Sequence, residues 1–131
     1  MIADTSAWVE YLRATGSPTH RRLRQQIEQG GDLLVPELVV MEVLVGAGDE
    51  PTARRLRRLL HSFEVVPMAP LIDCERAAAL QRQCRAAGQT VRNMVDCLIA
   101  ATAIRIGEPV LHADRDFDVL NAVTGLDVVS A

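Results

Sequence analysis

Five acids in this sequence stand where carboxylates are usually avoided. Asp4 closes the apolar opening Met1-Ile2-Ala3, and Glu42 interrupts the run from Leu38 to Val45. Asp96 lies inside Met94-Val95-Asp96-Cys97-Leu98-Ile99-Ala100-Ala101, and Asp114 and Asp116 follow the apolar pair Val110-Leu111. Taken singly, each has an ordinary account: a solvated strand-end acid, a helix residue on a polar seam, a cap partner, a surface loop. Taken together they require several such accounts to coincide, and an unpaired charge among apolar residues is costly. If the five converge, each pair at ~4 Å and an effective dielectric of about 20 repels by about 4 kcal/mol. Such a cluster must hold protons or a divalent cation. A donor set of oxygens alone suits Mg²⁺ or Mn²⁺ better than Zn²⁺. His20, His61 and His112 have no ligand spacing and are expected at the surface or at strand ends.

The surrounding pattern supplies elements that would bring these acids together. Short apolar runs at residues 1–5, 33–35, 64–66, 110–112 and 126–129 read as strands. Between them lie helical patterns. Ser6 is the expected N-cap of a helix from Ala7 to Ala14, with Trp8, Val9 and Leu12 facing inward. Pro18 opens a second helix to about Gln29, and Pro36 an apolar one from Glu37 to Ala47. Pro51 opens a fourth, whose Leu56, Leu59, Leu60 and Phe63 share one face. An amphipathic helix covers Leu71 to Ala87, and a helix apolar almost all round runs from Asn93 to Ile106, closed by Gly107. Asp96 is then the N3 partner of an Asn93 cap. A short helical turn reaches about Asn121. Alternation of strands and helices without a hairpin signal predicts an α/β fold: a parallel sheet of four to five strands with helices on both faces. In such a sheet the strand ends share one edge, so acids at those ends can meet.

The 131 residues are expected to form one domain, with apolar content of 49% sufficient for a buried core. Aromatics are 3%, so that core rests on Leu, Val, Ile and Ala. No apolar run approaches the ~20 residues of a membrane span, and no basic segment precedes the first acids. The expectation is a soluble cytoplasmic protein with no membrane contact. Cys74, Cys84 and Cys97 lack metal-type spacing and are expected to be buried thiols. All 14 basic residues are Arg, which excludes any mechanism that needs a lysine. A net charge of −3 argues against a general nucleic-acid coat, though acids in a site and arginines around it can segregate.

The ordered set Asp4-Thr5-Ser6, Glu42, Asp96 within Asn93-Met94-Val95-Asp96-Cys97, and Asp114-Arg115-Asp116-Phe117 resembles a PIN domain. More narrowly it is similar to the VapC toxins of bacterial type II toxin–antitoxin pairs, over the whole of residues 1–131. The resemblance implies a three-layer α/β/α domain and a Mg²⁺- or Mn²⁺-dependent endoribonuclease with one or two ions per site. Asp4, Glu42, Asp96 and Asp114 match the family's acidic quartet, Asp116 an additional acid, and Thr5 or Ser6 a hydroxyl near the metal or scissile phosphate. It also implies a homodimer and a VapB-type antitoxin lying across the acidic groove, in a heterotetramer or larger assembly.

Phosphodiester hydrolysis needs a deprotonated water in line with the leaving oxygen and charge neutralised on the phosphate. On this reading Asp4 and Asp96 hold the main cation, Glu42 positions or deprotonates the water, and Asp114 and Asp116 complete a second site. Arginines must steer the RNA, because bare acids repel phosphate. Arg92 beside Asn93 is the first candidate for the substrate-facing set. Arg54, Arg55, Arg57 and Arg58 form the densest basic cluster, facing RNA, antitoxin or solvent; Arg21, Arg22 and Arg24 follow. Trp8 is expected in the core or at a dimer surface. A haloacid-dehalogenase-type phosphatase would want an Asp where Ser6 stands, and a Lys; a receiver domain fails on the same missing Lys. A PIN-type nuclease for RNA maturation or structured DNA, and a non-catalytic binding module, stay open.

Overall fold

A computed structural model describes all 131 residues. The chain runs β1 (Ile2–Ala3), α1 (Thr5–Leu12), α2 (Pro18–Glu28), β2 (Leu34–Pro36), α3 (Glu37–Val45), α4 (Glu50–His61), β3 (Glu64–Val66), α5 (Pro70–Ala86), α6 (Met94–Ile106), β4 (Val110–Leu111) and α7 (Arg115–Thr124). The four strands form one parallel sheet in the order β3-β2-β1-β4. The chain steps one way from β1 through β2 to β3, then crosses back over β1 to reach β4. With right-handed crossovers, this reversal sends α1–α4 to one face and α5–α7 to the other. The helix contacts divide accordingly: α1 packs on α2 and α3, and α3 on α4, while α5, α6 and α7 pack on one another. The result is the expected α/β/α sandwich.

The reversal leaves β1 and β4 side by side, pointing the same way, with Ile2 opposite Val110 and Ala3 opposite Leu111. Ligands of open α/β sheets bind beyond the strand ends at such a switch point. Asp4 leaves β1 there, and His112 to Asp116 leave β4. The strand residues of β1 and β4 are fully buried, and one apolar cluster joins them to Trp8, Leu23, Val39, Leu60, Ile99 and Phe117. Trp8 therefore belongs to the core, its ring 5.8 Å from those of Tyr11 and Phe63.

Several expected boundaries shift for local reasons. Asp4, not Ser6, caps α1: its Oδ1 accepts the Ala7 N–H at 2.9 Å, so the helix starts at Thr5. The chain after Gly125 makes no full strand. It reaches β4 only through a parallel bridge between Val128 and Val110, because the N–H and C=O of Val110 are the groups β4 turns outward before the chain leaves the sheet. α7 runs three residues beyond the expected end, to Thr124. Cys84 and Cys97 are buried, but Cys74 is exposed. No helix is long and apolar enough to cross a membrane.

Candidate metal-dependent active site

The edge of the sheet gathers all five acids around Asp96. This residue is third in α6, whose start is fixed by Asn93: the Asn93 Oδ1 accepts the Val95 N–H at 2.9 Å. The expected reciprocal half of that cap does not form. Asp96 turns inward instead, 6% exposed, and its Oδ2 is buried without a hydrogen-bond partner. Oxygens of Asp96, Asp114 and Asp116 lie within 4.8 Å of one another. Burial, then the charges of Asp114, Asp4, Asp116 and Glu42, push the Asp96 carboxyl up to about 7.

Each neighbour is held by its own element. Asp4, 2% exposed at the end of β1, accepts the Ser6 hydroxyl at 2.7 and 2.9 Å as well as the Ala7 N–H. Burial outweighs these bonds and raises its carboxyl to about 6. The Ser6 Oγ in turn accepts the Ala113 N–H at 2.8 Å, tying the β1 end to the β4 loop. Glu42, half-buried on α3, accepts the Thr5 hydroxyl at 2.6 Å. Asp114 caps α7 by accepting the Asp116 N–H at 2.9 Å. Asp116, 3% exposed, accepts the Arg92 N–H at 3.1 Å, and the Arg92 Nε stands 3.6 Å from its other oxygen.

The sequence-selected residues thus converge, with altered partnerships. Three of the acids, Asp96, Asp114 and Asp116, bring oxygens within 4.8 Å of one another, and Asp4 is close enough for its charge to raise the Asp96 carboxyl. The hydroxyls of Thr5 and Ser6 are both given to acids. Asn93 spends its side-chain oxygen on the α6 cap, and Arg92 is paired with Asp116. In the Arg54–Arg58 cluster, Arg55 lines a groove beside Glu42, while Arg24 pairs with Glu28 across one helical turn.

His112 stands at a strand end, as the sequence leads one to expect, and from there it also supports the site. Its Nδ1 accepts the Asp114 N–H at 3.2 Å, its carbonyl accepts the Thr19 hydroxyl at 3.1 Å, and its ring stacks on Phe117 at 5.3 Å. Its position directly after β4 and two residues before Asp114 was the available signal. A hard divalent cation fits this donor set. The donors are oxygens only, three carboxylates are within reach of one point, and a buried carboxylate oxygen has no other partner.

Residues 1–123 match the PIN domain family. The chain is 43% identical to ribonuclease VapC11 of Mycobacterium tuberculosis over 99% of this chain and 98% of that protein. It is 32% identical to ribonuclease VapC51 of the same organism, covering 95% and 87% of the two. Its fold superposes on a chain of the VapBC2 complex of Rickettsia felis, bound to a DNA fragment from its promoter, with a TM-score of 0.74 at 14% identity over 98% and 96% of the two chains.

Proposed function

The chain belongs to the PIN domain family, and on that footing we propose that it is a metal-dependent endoribonuclease, the toxin of a VapBC-type toxin–antitoxin pair, with residues 1–131 acting as one PIN domain. The observation that carries the reading is the Asp96 carboxylate, buried and unpartnered among four other acids. Nothing in the fold neutralises it, so it needs a cation or a proton. Asp96, Asp114 and Asp116 would hold the ion, with Asp4 facing the same space from β1. One or two Mg²⁺ or Mn²⁺ ions, when bound, supply charge neutralisation on the phosphate and an acidified water.

The remaining chemistry belongs to the side chains. Glu42, oriented by Thr5, is placed to align or deprotonate the attacking water. Ser6 keeps Asp4 and the Ala113 backbone in register, and Arg92 and Asn93 flank the mouth where the phosphate enters. A VapB-type antitoxin is the proposed partner, because relatives of this fold are found in VapBC complexes. The groove of about 400 Å³ beside Glu42, lined by Val9, Leu12, Leu56, Arg13 and Arg55, offers apolar and cationic contacts for it. Exposed Met41, Val45, Leu71 and Ile72 support the homodimer. The test is to incubate RNA with the full chain and Mn²⁺ or Mg²⁺, and to map RNA ends after brief expression. Specific ends that disappear in Asp96→Ala and on chelation are expected; ends that survive either treatment would overturn the reading.

A further inference from the structure

Arg92 is the one arginine paired with any of the five acids, and the pairing is lopsided. The Asp116 side chain is 4% exposed, while that of Arg92 is 66% exposed. The contact runs through Nε at 3.6 Å, longer than a good charge-assisted hydrogen bond, from a side chain that is mostly in solvent. The backbone around it is fixed independently. Val91 is buried, its carbonyl accepts the Gln81 side-chain N–H at 2.9 Å, and Asn93 caps α6. The Arg92 N–H separately holds Asp116 Oδ2. The guanidinium can therefore leave Asp116 without moving the loop, the carboxylate or the helix start.

We propose that Arg92 is an exchangeable counter-charge: its guanidinium neutralises Asp116 while no cation stands beside that acid, and it transfers to the substrate phosphate when a cation takes Asp116. This deepens the metal-dependent nuclease reading and rests on it. Two positive groups would compete for Asp116, so the guanidinium weakens cation binding in the absence of phosphate. A phosphate that draws the guanidinium away relieves the competition. By linkage, phosphate and cation then tighten each other's binding. Arg92 thus couples full cation loading to the presence of substrate.

The test is a calorimetric Mn²⁺ titration of the full chain, of Arg92→Gln and of Arg92→Lys, with and without uridine monophosphate as the phosphate probe. Arg92 is exposed, so these substitutions leave the fold intact. Without nucleotide, Arg92→Gln is expected to bind Mn²⁺ about two- to fivefold more tightly than the unsubstituted chain, the scale of an exposed ion pair. It should also lose most of the tightening that the nucleotide gives. Arg92→Lys, which keeps a positive charge there, should fall between the two. If Arg92 only braced Asp116, Arg92→Gln would bind Mn²⁺ equally or more weakly and keep the nucleotide effect, which overturns the exchange while leaving the metal site standing. An unsubstituted chain that takes up no Mn²⁺ overturns the metal reading, and the exchange with it.

Discussion

Asp96 is a carboxylate that the protein neither solvates nor pairs, and a substitution there separates function from stability. Asp96→Asn removes the proposed cation ligand and its buried, ionisable carboxyl while keeping the side-chain shape. Cleavage should fall about 10³-fold, the equivalent of several kcal/mol of transition-state stabilisation. The metal-free chain should at the same time become more stable by about 1 kcal/mol, a melting rise of roughly 3–5 °C near neutral pH. An unchanged or lower melting temperature would mean that the Asp96 charge is already compensated. Thr5→Val addresses Glu42 alone. It deletes the 2.6 Å hydroxyl bond, so the rate should drop about tenfold with Mn²⁺ affinity unchanged, read by single-turnover cleavage beside calorimetry. The identity of the acids was legible because charges inside apolar runs stand out. Their partnerships were not. Ser6 meets Ala113 across 107 positions of sequence, and no local pattern encodes such a contact.

At the level of elements, helix starts and stops were legible where local chemistry decides them. Asn93 and Gly107 bound α6 as expected, with Gly107 at φ +71°, a conformation that residues with a Cβ rarely adopt. Hydropathy misleads at the start of α5. There Leu71 and Ile72 are 71% and 62% exposed while Asp73 is fully buried. The reason is tertiary: Asp73 meets the Arg105 Nε at 2.9 Å, the Thr102 hydroxyl at 3.1 Å and the Ala69 N–H at 3.0 Å, so one carboxylate joins α5 to the last turn of α6. Burial opposes its charge, but the bonds from Arg105, Ala69 and Thr102 outweigh burial and lower its pKa. Asp73→Ala should therefore destabilise the fold by about 2–3 kcal/mol, somewhat less than a fully buried pair because Arg105 can turn to solvent. Urea unfolding measures this. A loss below about 0.5 kcal/mol would reduce the contact to an ordinary surface ion pair.

For the whole molecule, the parallel sheet was legible from alternation alone, whereas the placing of β4 beside β1 was not, since only the tertiary fold reverses the strand order there. That reversal forces like charges together, and the consequence is a pH dependence with a definite sign. Asp4 and Asp96 have folded carboxyls at about 6 and about 7, above the 3.8 expected when unfolded. The folded chain thus binds more protons than the unfolded one across this interval, and the metal-free fold loses stability as pH rises through it. Asp73, with its lowered pKa, acts oppositely and only in acid, where its pairing is lost as the carboxylate protonates. Without divalent ions, the melting temperature should accordingly fall between about pH 5 and about pH 7.5. A cation replaces the protons it displaces, so the rise in melting temperature caused by Mn²⁺ should be larger at about pH 7.5 than at about pH 5. Scanning fluorimetry in chelator and in Mn²⁺ reads both trends, and Asp96→Asn should flatten them. If Mn²⁺ stabilises the chain equally at both pH values, the ion binds somewhere other than the buried acids.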